Sequence, residues 1–153
     1  MERPGREEYG RLVEEYADMV TRLCVIHTGN YTDAEDCWQN VFFKLFRALG
    51  KSDIPNVKAW LIKVTLNECR SVLRYRLGKS SVNFDEVTAA AEDSREFEML
   101  DLVFRLPPKY RDVIYLYYYE ELSVEEISKA TGTNINTLKS RLKRGREKLK
   151  EFL

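Results

Sequence analysis

The apolar residues of this chain recur with a helical period along almost all of its length, and groups of helix-breaking residues interrupt that period. The breakers fall at residues 29–30, 50–55, 78–83, 107–108 and 132. No segment shows the alternation of apolar and polar residues that is typical of a half-buried strand. The pattern predicts an all-α fold with helices at about 7–27, 33–49, 56–77, 94–105, 109–120, 124–130 and 135–151.

Residues 79–93 have the composition of a linker between two helical domains. They combine Ser80-Ser81, the run Ala89-Ala90-Ala91 and several acidic residues with few large apolar ones. We therefore predict two small helical domains, 1–78 and 94–153, joined by a flexible acidic linker. Each domain is short enough to be only marginally stable by itself.

The charges of the chain are balanced in number but uneven in position. Lys+Arg and Asp+Glu both total 25, for a net charge of zero. Segments 51–80 and 135–153 each carry seven basic and two acidic residues, whereas segment 81–101 carries one basic and seven acidic residues. A chain that neutralises phosphates in two separate places would have this distribution.

Several classes of protein are disfavoured by the composition. No apolar run approaches the length of a membrane span, and the charged N-terminus does not resemble a signal peptide. The three cysteines are widely spaced and His27 is the single histidine, which predicts reduced, buried thiols in a cytoplasmic protein with no metal or other cofactor. No paired carboxylates, phosphate-binding glycine loop or His/Cys site supports an enzyme.

Residues 123–150 have the pattern of a helix-turn-helix. Ser123 and Glu126 form a capping box, Gly132 suits a turn with positive φ, and Asn134 is placed to cap the next helix. A short helix, a short turn and a second helix are the parts of the DNA-binding motif, whose second helix enters the major groove.

The second helix of this pair has two distinct faces. A core stripe is predicted for Ile135, Leu138, Leu142, Gly145 and Leu149. The outward and flanking positions carry groups suited to base edges and phosphates, namely Asn136, Thr137, Lys139, Ser140, Arg141, Lys143 and Arg144. The alternative is a basic face that is merely solvated, which the cap, the turn and the sidedness together disfavour.

Residues 106–127 (LPPKYRDVIYLYYYEELSVEEI) and 136–142 (NTLKSRL) resemble region 4 of the sigma-70 family, and most closely its extracytoplasmic-function (ECF) branch. Thr133 departs from the family, which has an apolar residue there, and is expected to loosen the turn. The neighbouring tyrosines suggest either a base-stacking platform or core packing. We favour the core for Tyr115 and Tyr118, beside Val113, Ile114 and Leu116.

Two further helices show faces of mixed character. Thr32 to Glu35 reads as a second capping box, opening a helix whose apolar face is Ala34, Trp38, Val41, Phe42, Leu45 and Leu49. Its opposite face places Phe43 among Asp33, Asp36, Asn40 and Arg47, which indicates a protein interface. The next helix has two apolar strips, one of Trp60, Leu61, Val64 and Val72 and one of Ile62, Leu66, Cys69 and Leu73. The basic stripe between them, if not merely solvated, faces a polyanion.

Residues 33–42 (DAEDCWQNVF) and 59–67 (AWLIKVTLN) resemble regions 2.2 and 2.4 of the same family. The resemblance implies that region 2.2 docks on the clamp helices of the polymerase β′ subunit through Asp33, Asp36, Gln39, Asn40 and Phe43, although Asn40 replaces a usual acidic residue. It also implies that region 2.4 and the loop 51–56, which captures a flipped base, engage the minus-10 element through Ser52, Asp53, Asn56, Lys63, Asn67, Arg70 and Arg74.

Together these resemblances imply a sigma factor without catalysis of its own, which binds core RNA polymerase, including the β flap, and reads and helps melt promoter DNA. The acidic linker would thread toward the RNA exit path, or serve as a plain tether. An anti-sigma factor is an expected partner. Three alternatives stay open at this point: a freestanding operator-binding regulator, an enzyme of nucleic acids, and a helical interaction module.

Overall fold

The computed structural model describes residues 5–75 and 101–152, and every regular element within these ranges is helical. The all-α prediction is therefore confirmed for this part of the chain. The chain divides into two compact units, Met1–Val82 (unit 1) and Asn83–Leu153 (unit 2). The linker predicted at 79–93 lies outside the described residues, as does the first part of the helix predicted at 94–105.

Unit 1 is a bundle of three long helices, α1 (Gly5–Thr28), α2 (Tyr31–Lys51) and α3 (Val57–Tyr75), each of which packs on the other two. Its core is mostly apolar and contains the three thiols. Five polar residues are buried with it, namely His27, Thr28, Asp33, Thr65 and Glu68. Two side-chain bonds also join α1 to α2: the Tyr9 hydroxyl donates to the Phe42 carbonyl at 3.1 Å, and Trp38 Nε1 donates to the Ala17 carbonyl at 3.4 Å.

The start of α2 differs from the sequence prediction. Asn30, rather than Thr32, is the N-cap, and its side-chain oxygen accepts from the Asp33 backbone N–H at 2.8 Å. The Asn30 amide donates to the Asp33 carboxylate at 2.7 Å, which completes a reciprocal cap. Thr32 lies inside the first helical turn, so the capping box predicted there is wrong. Gly29, with φ of 79°, lets the chain turn between α1 and α2.

Unit 2 is built from shorter helices. Residues 101–104 are helical and are followed by α4 (Pro108–Ile114), a π-helical turn (Tyr115–Tyr119), α5 (Val124–Thr131) and α6 (Ile135–Glu151). Pro108 occupies the first position of α4, where its missing N–H would have had no helical partner. The Arg111 guanidinium is buried and lies 5.2 Å from the centroid of the Phe104 ring.

The tyrosines after α4 do not all enter the core. Tyr115 is fully buried and donates to the buried Glu120 carboxylate at 2.8 Å, as expected for a core residue. Tyr118, which we predicted to fill the core, is 45% exposed. The π turn is closed by a hydrogen bond from the Glu120 N–H to the Tyr115 carbonyl, five residues back, at 3.2 Å, whereas an α-helix bonds residues four apart. The wider turn rotates the positions after Tyr115 away from the face that an α-helix would give them. Glu121 follows at φ of 58°, in the left-handed region.

None of the described helices is long and apolar enough to cross a membrane.

Candidate nucleic-acid interface

The helix-turn-helix forms at the predicted residues and with the predicted caps. Ser123 Oγ accepts from the Glu126 backbone N–H at 3.1 Å, and Glu126 Oε1 accepts from the Ser123 N–H at 3.0 Å. Gly132 adopts φ of 73° and donates its N–H to the Ser128 carbonyl at 2.8 Å. Asn134 caps α6 by accepting from the Asn136 N–H at 2.8 Å. These local contacts fix the point at which α6 begins.

Thr133 does not leave the turn without hydrogen bonds. Its carbonyl accepts from the Ser128 hydroxyl at 2.7 Å, and its N–H donates to Thr131 Oγ1 at 3.3 Å. The Thr131 hydroxyl in turn donates to the Ile127 carbonyl at 2.8 Å. The hydroxyls of Ser128 and Thr131 therefore supply polar contacts to a turn where the expectation was looser packing.

The exposed face of α6 carries the side chains that we predicted for the minus-35 element. Leu138, Leu142 and Gly145 are buried beneath it, whereas Ile135 and Leu149 at the margins are half-buried. Arg141 is also half-buried. The remaining predicted residues are exposed, namely Asn136, Thr137, Lys139, Ser140, Lys143 and Arg144. The two-faced character of the helix is confirmed, while contact with DNA stays a prediction.

Gly145 sets the distance between α6 and α4. A Cβ built on this glycine would lie 2.7 Å from Ile114 Cγ1 and 2.9 Å from Ile114 Cδ1, both closer than carbon atoms pack. Ile114 is 1% exposed and is held in the core of unit 2. The missing side chain lets α6 lie directly on α4, and the opposite face of α6 is consequently presented to solvent as a regular ridge.

Two tyrosines beside α6 engage arginines, which sequence patterns did not indicate. A hydrogen bond from the Arg144 guanidinium lowers the pKa of the Tyr110 hydroxyl. Arg146 Nη1 donates to the Tyr118 hydroxyl at 3.0 Å, and this hydrogen bond raises the pKa of Arg146. Both tyrosines are in α4 or the π turn, so these contacts depend on how two helices pack rather than on residue spacing.

The basic stripe of α3 is exposed along its whole predicted length. Lys63, Asn67, Arg70 and Arg74 all face solvent. On the flanking strips, Leu61, Ile62, Leu66 and Cys69 are buried, and Trp60, Val64 and Val72 are half-buried. The helix is thus embedded on two sides and open on the third, as the sequence indicated.

The loop before α3 is one residue shorter than predicted. Helix α2 continues through Gly50 to Lys51, so the connection consists of residues 52–56. Ser52, Asp53 and Asn56 are exposed, while Ile54 is half-buried. Asn56 Oδ1 accepts from the Ala59 backbone N–H at 3.1 Å, so this residue caps the start of α3.

Four of the five residues predicted to bind polymerase share one exposed face of α2. Asp36, Gln39 and Asn40 are exposed, and Phe43 is 60% exposed. Asp33 is an exception, because it is only 8% exposed and its side chain accepts the Asn30 amide. The prediction that Asp33 lies on the outer face is wrong. Its carboxylate belongs to the reciprocal cap of α2.

A buried carboxylate adjoins the face of α2 that we predicted to bind polymerase, and the sequence analysis did not identify it. Glu68 of α3 is 9% exposed and accepts from Asn40 Nδ2 at 3.5 Å. It also pairs with the Lys44 ammonium of α2. Glu68 is the single acidic residue of α3, and this could have marked it as unusual. The sequence pattern does not indicate, however, which helix supplies its partners.

The cysteines are consistent with a structural role. Cys24, Cys37 and Cys69 are free and buried. A hydrogen bond with Cys69 and burial together raise the pKa of Cys37 well above its usual range. A protonated, buried thiol is a poor nucleophile and a poor metal ligand. Among the described residues, no group of His, Cys, Asp or Glu is arranged to hold a metal ion.

Comparison with known proteins gives a family for both halves of the chain. The family model described as Sigma-70 region 2 matches residues 12–79, and the one described as Sigma-70, region 4 matches residues 96–149. These two ranges contain every residue that we predicted to touch DNA or polymerase.

Relatives match over nearly the whole chain. RNA polymerase sigma-E factor of Streptomyces avermitilis is 30% identical over 152 residues, covering 95% of this chain and 85% of that protein. ECF RNA polymerase sigma factor SigE of Mycolicibacterium smegmatis is 29% identical over 157 residues, and there the chain spans 61% of the relative's length.

A solved structure supports the fold. The sigma factor RpoE in complex with the anti-sigma factor NepR, from Bartonella quintana, superimposes with a TM-score of 0.74 at 20% identity, covering 95% of this chain and 96% of that one. Since the helix-turn-helix, the exposed α3 stripe and both family regions occur together in one chain, the protein belongs to the sigma-70 family of RNA polymerase sigma factors, in its ECF branch.

Proposed function

We propose that this chain is a promoter-specificity subunit that binds core RNA polymerase and directs transcription initiation from promoters with defined minus-10 and minus-35 elements. One observation carries the proposal: two exposed polar and basic helix faces lie on separate units of a chain that matches regions 2 and 4. A single operator-binding domain would need only one of them. This favours a polymerase subunit over a freestanding regulator.

The face of α6 would read the minus-35 element. Asn136, Ser140 and Arg144 lie near the middle of the exposed face, where amide, hydroxyl and guanidinium groups can bond to base edges. Lys139 and Lys143 lie on its flank and would contact phosphates, which position the helix without specifying sequence.

The stripe of α3 and the preceding loop would read and help open the minus-10 element. Lys63, Arg70 and Arg74 would contact the phosphate backbone of the DNA. Asn67 lies between them on the same exposed face. Ser52 and Asp53 of the loop are free of regular structure and could line a pocket for a flipped base, leaving Asn56 as the cap of α3. Unstacking a base costs a few kcal/mol, which such contacts would have to offset.

The outer face of α2 would dock on the clamp helices of the polymerase β′ subunit. Phe43 offers an exposed aromatic anchor, with Asp36, Gln39 and Asn40 beside it. Aromatic anchors surrounded by polar groups are typical of interface hot spots. Unit 2 would contact the β flap. We leave Asp33 out of this surface because its side chain is buried.

The proposal includes an anti-sigma factor as a regulatory partner, since a structurally similar sigma factor was solved with one. It also places the protein in the cytoplasm, where core polymerase acts, and assigns it no catalytic step of its own.

The docking face can be tested by charge reversal. Asp36→Lys should abolish binding to core RNA polymerase and leave helix content unchanged, because Asp36 is exposed and the substitution is compatible with a helix. Glu14→Lys, an exposed acidic position on α1, is the matched control. Co-purification with core polymerase measures both. Normal binding by Asp36→Lys would refute the docking role of this face. Failure of the wild type to bind core polymerase would refute the proposed function.

The minus-35 reading can be tested at Arg144. Run-off transcription by the reconstituted holoenzyme on a randomised promoter library first gives the preferred sequence. If the guanidinium reads a base, Arg144→Ala should then weaken the free energy of binding to the preferred minus-35 element by about 1–3 kcal/mol. An equal loss on every sequence would instead indicate a phosphate contact.

A further inference from the structure

Glu68 places a buried carboxylate between α3 and the proposed docking face of α2. It is 9% exposed and is the single acidic residue of α3. Its two oxygens have different partners: Oε1 pairs with the Lys44 ammonium, and Oε2 accepts from Asn40 Nδ2 at 3.5 Å. Both partners belong to α2 and lie one helical turn apart, so the carboxylate is held between them.

The pairing with Lys44 decides which side of the Asn40 amide faces α3. A carboxylate paired with an ammonium group is ionised, and an ionised carboxylate accepts hydrogen bonds but donates none. The Asn40 amide must therefore present its NH₂ group to Glu68. The amide oxygen lies on the opposite side of the same planar group, so it is directed away from α3. Asn40 is exposed, and this oxygen is presented on the face of α2 that carries Phe43.

The orientation of the amide determines what the docking face offers at position 40. Rotation of an amide by about 180° exchanges an acceptor for a donor at the same place. With Glu68 beneath it, Asn40 offers an acceptor, and the exposed carboxylate of Asp36 offers others one turn earlier. Acceptors on adjacent turns complement a partner surface that carries N–H donors, such as basic side chains.

We propose that Glu68 is a positioning residue for polymerase docking: it holds the Asn40 amide with its oxygen outward, where the oxygen accepts from a donor on core polymerase. The inference rests on the proposed function, because it gives Glu68 a role only through the docking face of α2. An amide that is already oriented loses less conformational freedom on binding, and such preorganisation improves affinity without a new contact. Glu68 itself is buried and would touch no polymerase residue.

The test exchanges the carboxylate and the amide between the two positions, in the full chain titrated with core polymerase. Glu68→Gln alone removes the charge that orients the amide, so binding should weaken about two- to tenfold, the range for one hydrogen bond. Asn40→Asp alone brings two carboxylates together and should lower the midpoint of denaturant unfolding. In the double variant, the new glutamine can donate to the new aspartate and still accept from Lys44. Both affinity and unfolding midpoint should then return at least to near wild-type values.

Two controls separate positioning from packing. Thr65→Val removes a fully buried hydroxyl of the same helix, which donates to the Leu61 carbonyl at 2.6 Å, and it should leave the affinity unchanged. Asn40→Ala changes an exposed helical position, so the protein should fold and lose about as much affinity as with Glu68→Gln. In this Asn40→Ala background, Glu68→Gln should have no further effect, since the amide that it orients is gone.

Several outcomes would overturn the positioning role. They are normal binding by Glu68→Gln, an equal loss from it with and without the Asn40 amide, and weakened binding by a folded double variant. The last outcome decides even if Glu68→Gln alone does not fold. If Asn40→Ala weakens binding and Glu68→Gln does not, only the positioning role of Glu68 fails. If the wild-type chain does not bind core polymerase, the proposed function fails with it.

Discussion

The helices of unit 1 have 24, 21 and 19 residues, whereas the two helices of the helix-turn-helix in unit 2 have 8 and 17. In unit 1, long amphipathic helices bury continuous apolar faces against one another, and their exposed stripes follow from that burial. In unit 2, α5 is too short to be stable by itself. It depends on the Ser123 capping box, on the Gly132 turn and on packing against α6, which itself lies close on α4 at Gly145.

The two proposed DNA faces are thus presented by different means. The stripe of α3 is what remains exposed once two sides of a long helix are buried. The face of α6 is aimed by caps at its start and by a glycine contact along its length. Substitutions in the core should therefore lower the stability of unit 1 most. Substitutions at caps and turns should lower the stability of unit 2 most.

The largest expected effect is that of Phe42→Ala in unit 1. Phe42 is 2% exposed and lies 4.5 Å from Trp38 between ring centroids. Truncation should lower the free energy of unfolding of unit 1 by about 3–5 kcal/mol. Both tryptophans, Trp38 and Trp60, belong to unit 1, so tryptophan fluorescence during denaturant unfolding reports that unit specifically. A change below about 1 kcal/mol would contradict the dominance of core burial there.

The next effect concerns thiol reactivity, and all three cysteines also lie in unit 1. A disulfide reagent should label them at least about a hundredfold more slowly in the folded protein than in guanidinium, because labelling requires local opening. Since the folded state raises the pKa of Cys37, unit 1 should lose stability as the pH rises above about 8.5, where the unfolded thiol ionises. Rapid labelling of the folded chain would show that unit 1 opens more readily than its packing indicates.

A smaller effect is expected from Ser123→Ala, which removes the cap of α5. The free energy of unfolding of unit 2 should fall by about 1 kcal/mol. Hydrogen exchange of the Ile127 and Leu138 amides measures it, since both residues are buried there. The control is Thr32→Ala in α2, because Thr32 is exposed inside the first turn and caps nothing. Equal losses in the two variants would break the distinction between the units.

The smallest effect is a gain in stability from Glu121→Gly. Glu121 adopts φ of 58°, a conformation that costs a residue with a Cβ about 1–2 kcal/mol. Glycine avoids most of this cost but loses chain entropy, so unit 2 should gain about 0.5–1 kcal/mol in thermal unfolding. Glu125→Gly, an exposed helical position four residues later, should lose a similar amount. Destabilisation by both variants would show that the Glu121 side chain contributes contacts.

The sequence by itself determined the features that depend on near neighbours along the chain. The Ser123 capping box, the Gly132 turn, the Asn134 cap and the exposed faces of α3 and α6 all follow from residues within a few positions of one another. Helical periodicity is also local, so the all-α fold followed from it.

The tertiary structure decided the features in which a residue meets a partner far along the chain. Glu68 reaches α2 across 24 residues to Lys44, and Arg146 reaches Tyr118 across 28. The burial of Asp33, the exposure of Tyr118 and the left-handed backbone of Glu121 also depend on a local choice, of cap or of helical pitch, that only the packed chain fixes. A pattern of residue types shows which face of a helix is apolar. Which of several possible partners a side chain contacts depends on the interaction energies between helices that are already packed together.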